Sequence, residues 1–163
     1  MFRLVLLLAS LAALGACSPR ADDTDMPVAD VARPRNPFFG TWLTATSQVA
    51  PWWDQQGQAP EMNPDFQNRS IVLAAGESSG PDIIACTEPV YAVNNVRSPG
   101  LFEGNLPDPQ VDASALGFSG PDIAELTLDC TDNGKNVSLR FPMVDDDTIL
   151  LGLDNMIYML KRQ

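Results

Sequence analysis

The side chains in this sequence that could carry chemistry are carboxylates and cysteines, because the chain contains no histidine. Without an imidazole the chain lacks the commonest general base, the histidine of a Ser-His-Asp triad and the usual ligand of zinc and copper. Carboxylates are abundant, with 21 aspartates and glutamates. A glycosidase needs two carboxyl groups at a defined separation, and no spacing in the sequence singles out such a pair. The composition favours binding over catalysis, with a carboxylate-based hydrolase as the enzymatic alternative.

Three consecutive acids, Asp145 to Asp147, could offer oxygen ligands to calcium. They lack the glycine and the distal glutamate of an EF-hand loop. The alternative is that they are solvated acids of a turn. No metal ion or other cofactor is predicted.

The first cysteine lies directly after a pattern typical of secretion signals. Arg3 supplies a positive charge, Leu4 to Leu14 is a largely apolar run, and the small residues Gly15 and Ala16 precede Cys17. These features correspond to the charged region, the apolar region and the cleavage site of a signal peptide. The run is about half as long as the roughly 20 residues that span a bilayer core, so a permanent transmembrane helix is not expected. The sequence predicts that residues 1–16 are a cleaved signal peptide.

The tetrapeptide Leu14-Gly15-Ala16-Cys17 resembles the lipobox of bacterial lipoproteins. This resemblance implies that Cys17 is lipidated on its sulfur and becomes the new amino terminus. Two or three acyl chains would hold the protein firmly at a membrane, since one chain gives only marginal binding. The resemblance also implies a place in the bacterial cell envelope, with Ser18 favouring the outer membrane over the inner one. The alternative is an ordinary cleaved signal followed by an incidental cysteine.

If Cys17 is lipidated as the resemblance implies, Cys86 and Cys130 remain as an even pair in a chain expected in an oxidising compartment. The sequence therefore predicts a disulfide bond between them. Closing a loop of this length would stabilise the fold by about 4 kcal/mol in the chain-entropy model. Two buried free thiols are the alternative.

Charge and composition divide the rest of the chain into a tether and one domain. Residues 17–36 hold four aspartates and several prolines with few large apolar side chains, so they cannot bury enough surface to order themselves. Residues 37–163 are one domain's worth of chain. Without residues 1–16 the protein keeps 9 basic and 21 acidic residues, a formal charge of −12. A protein this acidic is not expected to bind nucleic acid, because phosphate repels it.

The domain pattern is mostly β, with short apolar or alternating runs between turn residues. Strands at intervals near ten residues are typical of a small antiparallel barrel or a sandwich. A single short helix is expected over 112–118, and long loops over 50–69 and 98–110. The predicted strands are Gly40–Ser47, Ser70–Ala75, Ile83–Cys86, Val90–Val96, Ile123–Cys130, Asn136–Met143, Thr148–Leu153 and Met156–Lys161.

Two hairpins are predicted in the last 40 residues. Apolar and polar residues alternate in 125–130 and 137–141, as in strands with one face in water. Asp132-Asn133-Gly134 between them is a strong tight-turn signal, because Asn and Gly tolerate positive φ. Asp154-Asn155 predicts the turn of the second hairpin.

Three tryptophans are candidates for packing or binding. Trp42 lies in the first predicted strand and is expected in the core. Trp52 and Trp53 are adjacent, so in extended chain they point in opposite directions and cannot both enter one core. We therefore predict this pair as a contact site for a ligand or partner. The alternative is that one plugs the end of a barrel while the other packs as a lid.

The two ends of the domain, Phe39-Gly40-Thr41-Trp42 and Tyr158-Met159-Leu160-Lys161-Arg162, resemble lipocalin-like barrels, or calycins. In that family a Gly-x-Trp opens the first strand and a basic residue of the last strand packs across the indole ring. The resemblance implies that Trp42 closes the barrel, with Lys161 or Arg162 over its ring. Such a cation–ring contact contributes roughly 0.5 to 2 kcal/mol.

These features together predict a lipid-anchored envelope domain that binds without catalysis. One hypothesis is a small apolar ligand inside the barrel. Another is an envelope partner held at Trp52 and Trp53, and an inhibitor of a periplasmic hydrolase, such as a protease or lysozyme, is one form of it. A structural envelope protein without a soluble ligand is the remaining alternative. The ligand hypothesis predicts a cavity lined by inward side chains such as Leu126, Leu128, Leu139 and Phe141.

Overall fold

The structure is a computed structural model that describes residues 36–55, 57–132 and 135–163. The predicted signal peptide, Cys17 and the predicted tether up to residue 35 lie outside these residues, as do Asn133 and Gly134 of the predicted turn. Among the described residues, no helix has the length and apolarity needed to cross a membrane.

The described residues form one antiparallel sheet of nine strands, which curls into a half-barrel. This confirms the mostly β class and the small antiparallel barrel. The strand order is β4-β3-β2-β1-β9-β8-β7-β6-β5. Helix α1 spans Pro109–Ala115. Two 3₁₀ turns lie at Pro64–Phe66 and Ser98–Gly104. We call the second of these turns the 98–104 segment. The strands are β1 Gly40–Val49, β2 Ser70–Ala74, β3 Glu77–Ser79, β4 Cys86–Thr87, β5 Val90–Val96, β6 Ile123–Asp132, β7 Lys135–Asp145, β8 Thr148–Leu153 and β9 Met156–Arg162.

Register shifts and one cross-link define the curl of the sheet. Residues of β7 up to Pro142 pair with β6, and its end pairs with β8 through Met143 and Asp145, with a register shift between these two residues. Such irregularities bend a strand and increase its twist. The predicted disulfide between Cys86 and Cys130 is confirmed, with the two Cα atoms 6.1 Å apart. Because Cys86 lies on the edge strand β4 and Cys130 on β6, next to the opposite edge, the bond links the two sides of the curled sheet.

Two hydrophobic cores lie on opposite faces of this sheet. The inner core collects side chains from strands across the whole sheet, including Trp42, Leu128 and Tyr158. The outer core lies where the 98–104 segment and α1 cover β8 and β9, and it contains Leu101 and Leu150. Consecutive residues of β8 therefore enter different cores, which explains why this strand reads as a nearly continuous apolar run.

The boundaries of several elements differ from those predicted. No strand covers 83–85, because the backbone N–H groups of Ile84 and Ala85 both donate to the carbonyl oxygen of Pro81 in a turn. The short strand β3 has little apolar content and was not predicted. Helix α1 begins three residues before the predicted 112, at Pro109. Proline suits the first helical position, where its missing N–H costs nothing, and Asp108 caps the helix through its side chain.

Candidate functional site

The contact that joins the two ends of the domain is made by Trp42 and Arg162. Trp42 is wholly inaccessible to solvent, and its indole N–H donates to the carbonyl oxygen of Phe38 at 2.9 Å. The Cζ atom of Arg162 lies 4.1 Å from the centroid of the Trp42 ring. Lys161 is directed elsewhere, since its Nζ donates to Oγ1 of Thr148. Of the two basic residues predicted to cover the ring, Arg162 is the one that does so.

Trp52 and Trp53 have different surroundings, although both are partly buried. The Trp52 ring packs on Phe102 of the 98–104 segment, with centroids 5.3 Å apart and planes at 40°. The backbone N–H of Trp53 donates to the carbonyl oxygen of Ala50 at 3.1 Å, and its side chain does not line the cleft described next. The predicted contact pair therefore divides into one residue at a cleft and one beside it.

A surface cleft of about 150 Å³ lies beside Trp52, and we call it the Trp52 cleft. Its floor includes Gly152 of β8, where a Cβ atom would lie 2.8 Å from Cδ1 of Phe102 and 3.3 Å from Cη2 of Trp52. Both rings thus lie directly on the β8 backbone, and only glycine leaves room for them. The cleft is lined by Trp52, Phe102, Glu103, Asn105, Ser138, Leu139, Arg140, Gly152 and Leu153.

The backbone on one side of the Trp52 cleft is strained. Phe102, Glu103 and Gly104 all have positive φ, at 49°, 61° and 81°. For a residue other than glycine this conformation costs on the order of 1 kcal/mol or more, and such residues cluster at ligand clamps and other functional sites. The side-chain amide of Asn105 holds the turn by donating to the carbonyl oxygen of Phe102 at 2.7 Å.

Three charged side chains, Glu103, Glu125 and Arg140, lie at or beside the Trp52 cleft. Glu125 of β6 is 2% exposed, although its strand pattern predicted a face in water. Nη1 of Arg140 lies 3.8 Å from Oε1 of Glu125, and Nε of Arg140 lies 3.6 Å from Oε1 of Glu103. Among the described residues Oε2 of Glu125 has no hydrogen-bond partner. Burial raises the pKa of the Glu125 carboxyl, Arg140 opposes the rise, and Glu103 adds to it.

We expect Glu125→Gln to raise the free energy of unfolding at neutral pH, by on the order of 1 kcal/mol. Because the pKa of Glu125 is raised in the folded protein, the folded state holds this proton more tightly than the unfolded state. The wild-type protein therefore loses stability as pH rises from the ordinary glutamate range through the raised pKa. Urea unfolding of both proteins across this pH range measures the difference.

The gain from Glu125→Gln should shrink as pH falls below the ordinary glutamate pKa of about 4.3, because the carboxyl is then neutral in both states. Glu103→Gln is the matched control, since the Glu103 side chain is 66% exposed. Its effect should stay within about 0.5 kcal/mol, as for most surface substitutions. A gain from Glu125→Gln that is the same at all pH values would contradict the prediction.

The side chains predicted to line an internal ligand cavity belong to the inner core. Leu126, Leu128 and Phe141 are 0% exposed, and Leu139 is 6% exposed. They pack among aromatic residues of other strands, including Trp42 and Tyr158. A ligand at this place would have to displace close-packed side chains, which does not favour the apolar-ligand hypothesis.

The acids predicted as possible calcium ligands lie at the turn between β7 and β8. The backbone N–H of Asp147 donates to Oδ1 of Asp145 at 2.9 Å, and Oδ1 of Asp147 lies 3.8 Å from Nε of Arg162. Hydrogen bonding by Thr148 holds the pKa of Asp145 below its ordinary value. Within residues 36–55, 57–132 and 135–163 no group of three or more His, Cys, Asp or Glu side chains could hold a metal ion.

The segment Gly76-Glu77-Ser78-Ser79-Gly80 matches the Gly-x-Ser-x-Gly pattern of hydrolase nucleophiles. That chemistry needs the serine on a sharp turn between a strand and a helix, with a histidine beside it. Here Ser78 lies within β3, between β2 and β4, and its hydroxyl donates to the carbonyl oxygen of Ile84. Ser78 is buried, and its hydrogen bond ties β3 to the turn that precedes β4.

Comparisons with protein-family models, with curated proteins and with solved structures found no match for this chain. Its function therefore has to be inferred from its own residues. Sequence reasoning selected Trp52 but missed the charges around Glu125 and the floor at Gly152. The glycine inside a predicted strand was an available signal, because such a glycine often marks a close approach of other groups. No local sequence pattern indicated that another segment would cover Glu125.

Proposed function

We propose that this protein is a non-catalytic binding domain that holds a side chain of a protein partner in the Trp52 cleft. The observation that carries the proposal is how the cleft is built. The rings of Trp52 and Phe102 pack on each other over Gly152, and Arg140 lines the same cleft. Binding energy at protein interfaces concentrates on tryptophan, tyrosine and arginine residues that surround small pockets. Trp52 and Arg140 are residues of these types.

The size of the cleft supports a side chain rather than a free small molecule as its occupant. Pockets for drug-sized ligands have volumes of about 300–1,000 Å³, and the Trp52 cleft has about 150 Å³. The close-packed inner core also argues against a free small molecule bound inside the barrel. A side chain presented by a folded partner needs only one such cavity, because the surrounding surface supplies the remaining contacts.

Arg140 supports a role in recognition. Its guanidinium lies 3.6 and 3.8 Å from two carboxylates, beyond hydrogen-bonding distance, and its side chain is 41% exposed. The long ion pair with Glu103, whose side chain is 66% exposed, can be exchanged for an acceptor on the partner at little cost, while the guanidinium stays beside the buried Glu125. Its planar set of donors would give such a contact directional specificity.

The charge of the domain indicates a partner with a basic surface. Residues 36–163 contain 6 basic and 17 acidic residues. Opposite charge on the partner would speed association, and added salt would slow it. A basic hydrolase of the cell envelope, inhibited by this domain, is one partner of this kind.

The proposed location is the bacterial cell envelope, with Cys17 lipidated and the domain held at the outer membrane. Support comes from the residues around Cys17, which resemble a lipobox, and from the disulfide between Cys86 and Cys130, which suits an oxidising compartment. Anchoring would confine the domain near partners in the same membrane and raise their effective concentration.

A comparison of Trp52→Ala with Trp53→Ala tests the proposed function. Each full-length variant is immobilised and exposed to envelope extract, and the partners recovered by the wild-type chain are quantified. Loss of a central tryptophan should cost about 2 kcal/mol or more, roughly a 30-fold loss of affinity. Trp52→Ala should therefore recover much less partner, whereas Trp53→Ala should resemble the wild-type chain.

Gly152→Ala gives a second variant at the cleft that keeps Trp52 in place. Its added methyl group would meet Phe102 and Trp52 and should weaken recovery in the same way. Circular dichroism and urea unfolding check that each variant is folded. Equal recovery by the wild-type chain, Trp52→Ala and Gly152→Ala would overturn the proposal.

A further inference from the structure

The strand β5 is an edge of the sheet. Its Tyr91 packs against the inner core, where its hydroxyl donates to the carbonyl oxygen of Glu77 at 3.1 Å, but the strand lacks the usual protection of an edge. In the part of the chain that the structure describes, β5 pairs only with β6, and the register runs unbroken from Val90 to Val96. The sequence VYAVNNV has neither charge nor proline, and Val90 and Val93 are 66% and 47% exposed. Edge strands normally carry lysine, proline or a bulge, because a bare edge pairs readily with another strand.

The residues of β5 are self-complementary when the strand is paired with its own copy. Its three valines lie at the two ends and the centre, at 90, 93 and 96. In an antiparallel pairing centred on Val93, Val90 lies opposite Val96 of the second copy. Val93 then lies opposite itself, Tyr91 lies opposite Asn95, and Ala92 lies opposite Asn94. Pairs of β-branched residues directly opposite one another stabilise a sheet.

The charges that flank β5 favour the same register. In this pairing Arg97 lies opposite Pro89 of the second copy, one position from Glu88. Because the arrangement is two-fold symmetric, the neighbouring opposite charges occur at both ends of the paired strands. A parallel pairing in register would instead place Glu88 beside Glu88 and Arg97 beside Arg97.

We propose that two copies of this protein associate through antiparallel pairing of their β5 strands, about a two-fold axis at Val93. The chain carries a formal charge of −11, so the two copies repel each other elsewhere. A single pair of strands also buries less than the roughly 1,200 Å² of a stable interface. The dimer is therefore weak, and it strengthens with salt, which distinguishes it from association with a basic partner.

A cysteine at the two-fold axis tests this pairing directly. The full chain with Cys17→Ser in mild detergent leaves an introduced cysteine as the free thiol, because Cys86 and Cys130 are bonded to each other. Residues directly opposite in antiparallel strands have Cα atoms about 4.5–5.5 Å apart, within the range for a disulfide. Val93→Cys should therefore form a covalent dimer on mild oxidation.

Asn95→Cys is the matched control, since residue 95 is exposed on the same face of the same strand but would lie opposite Tyr91 of the second copy. It should cross-link much less than Val93→Cys. Equal cross-linking of the two variants, or none by Val93→Cys, would overturn the proposed register.

Sedimentation without any introduced cysteine gives a second readout. Dimer formation by the wild-type chain should increase as ionic strength rises from about 0.01 to 0.15 M, where the Debye length falls from about 30 to 8 Å. Val93→Lys should remain monomeric, because a lysine at the edge blocks pairing. Trp52→Ala should dimerise like the wild type, so this result is separable from the partner experiment. A dimer that survives Val93→Lys, or a wild type that stays monomeric throughout, would contradict the proposal.

Discussion

Replacing Trp42 with alanine is expected to lower the free energy of unfolding by about 3–5 kcal/mol, as for large aromatic residues in protein cores. The side chain is wholly buried in the inner core, and its indole N–H is bonded to the carbonyl oxygen of Phe38. Its loss would also remove the surface on which Arg162 rests at 4.1 Å. Arg162 donates from Nη1 to the carbonyl oxygen of Phe39 as well, so the join between β1 and β9 should weaken. Urea unfolding measures the change.

Two control variants separate the causes of this loss. Trp42→Phe keeps an aromatic ring but removes the hydrogen bond, and it should cost less than the alanine variant. Trp53→Ala removes the same type of side chain from a partly buried site outside both hydrophobic cores, and it should cost least of the three. The account of Trp42 would be wrong if Trp42→Ala and Trp53→Ala lowered stability equally.

Removal of the disulfide in the double variant Cys86→Ala/Cys130→Ala should lower stability by about 4 kcal/mol in the chain-entropy model. The bond links residues separated by 44 positions, so it removes many conformations from the unfolded chain. It also joins β4, one edge strand of the curled sheet, to β6, the strand next to the opposite edge. Alanine avoids placing a serine hydroxyl without a partner at these buried sites. Urea unfolding of the oxidised wild type and the double variant measures the loss.

The reduced wild-type protein is the control for this measurement, and it should unfold close to the double variant. Cys17→Ser should leave the stability of the domain unchanged, because Cys86 and Cys130 bond to each other. Equal stability of the oxidised and reduced wild-type proteins would show that the bond contributes nothing to the fold.

Local patterns were sufficient to predict most of the sheet. The predicted bounds of β5 and β8 agree with the structure, and β6 and β7 pair antiparallel as predicted, as far as Asp132 opposite Lys135. Alternation of apolar and polar residues depends only on the two-residue repeat of a strand. Turn residues act through their own φ preferences. Neither signal needs information from distant parts of the chain.

The candidate site was only partly predictable, because it depends on what covers each face. Glu125 lies on the face of β6 that its alternation predicted to be in water, yet it is buried beside Arg140. The 98–104 segment, predicted as a loop, supplies both Phe102 and Glu103 to this region. A strand pattern shows which residues share a face, but it does not show whether another segment packs there.

The amino-acid sequence alone was enough to exclude histidine chemistry, to predict a mostly β domain and to pair Cys86 with Cys130. The first two conclusions depend on composition and on short-range periodicity, and the third depends on the local pattern around Cys17 that sets this cysteine apart from the pair. Only the tertiary structure selected Arg162 over Lys161 for the Trp42 ring, and only it brought Trp52, Phe102 and Gly152 together. These contacts join residues far apart in sequence, and they depend on the curl of the sheet and on the segment that covers its outer face.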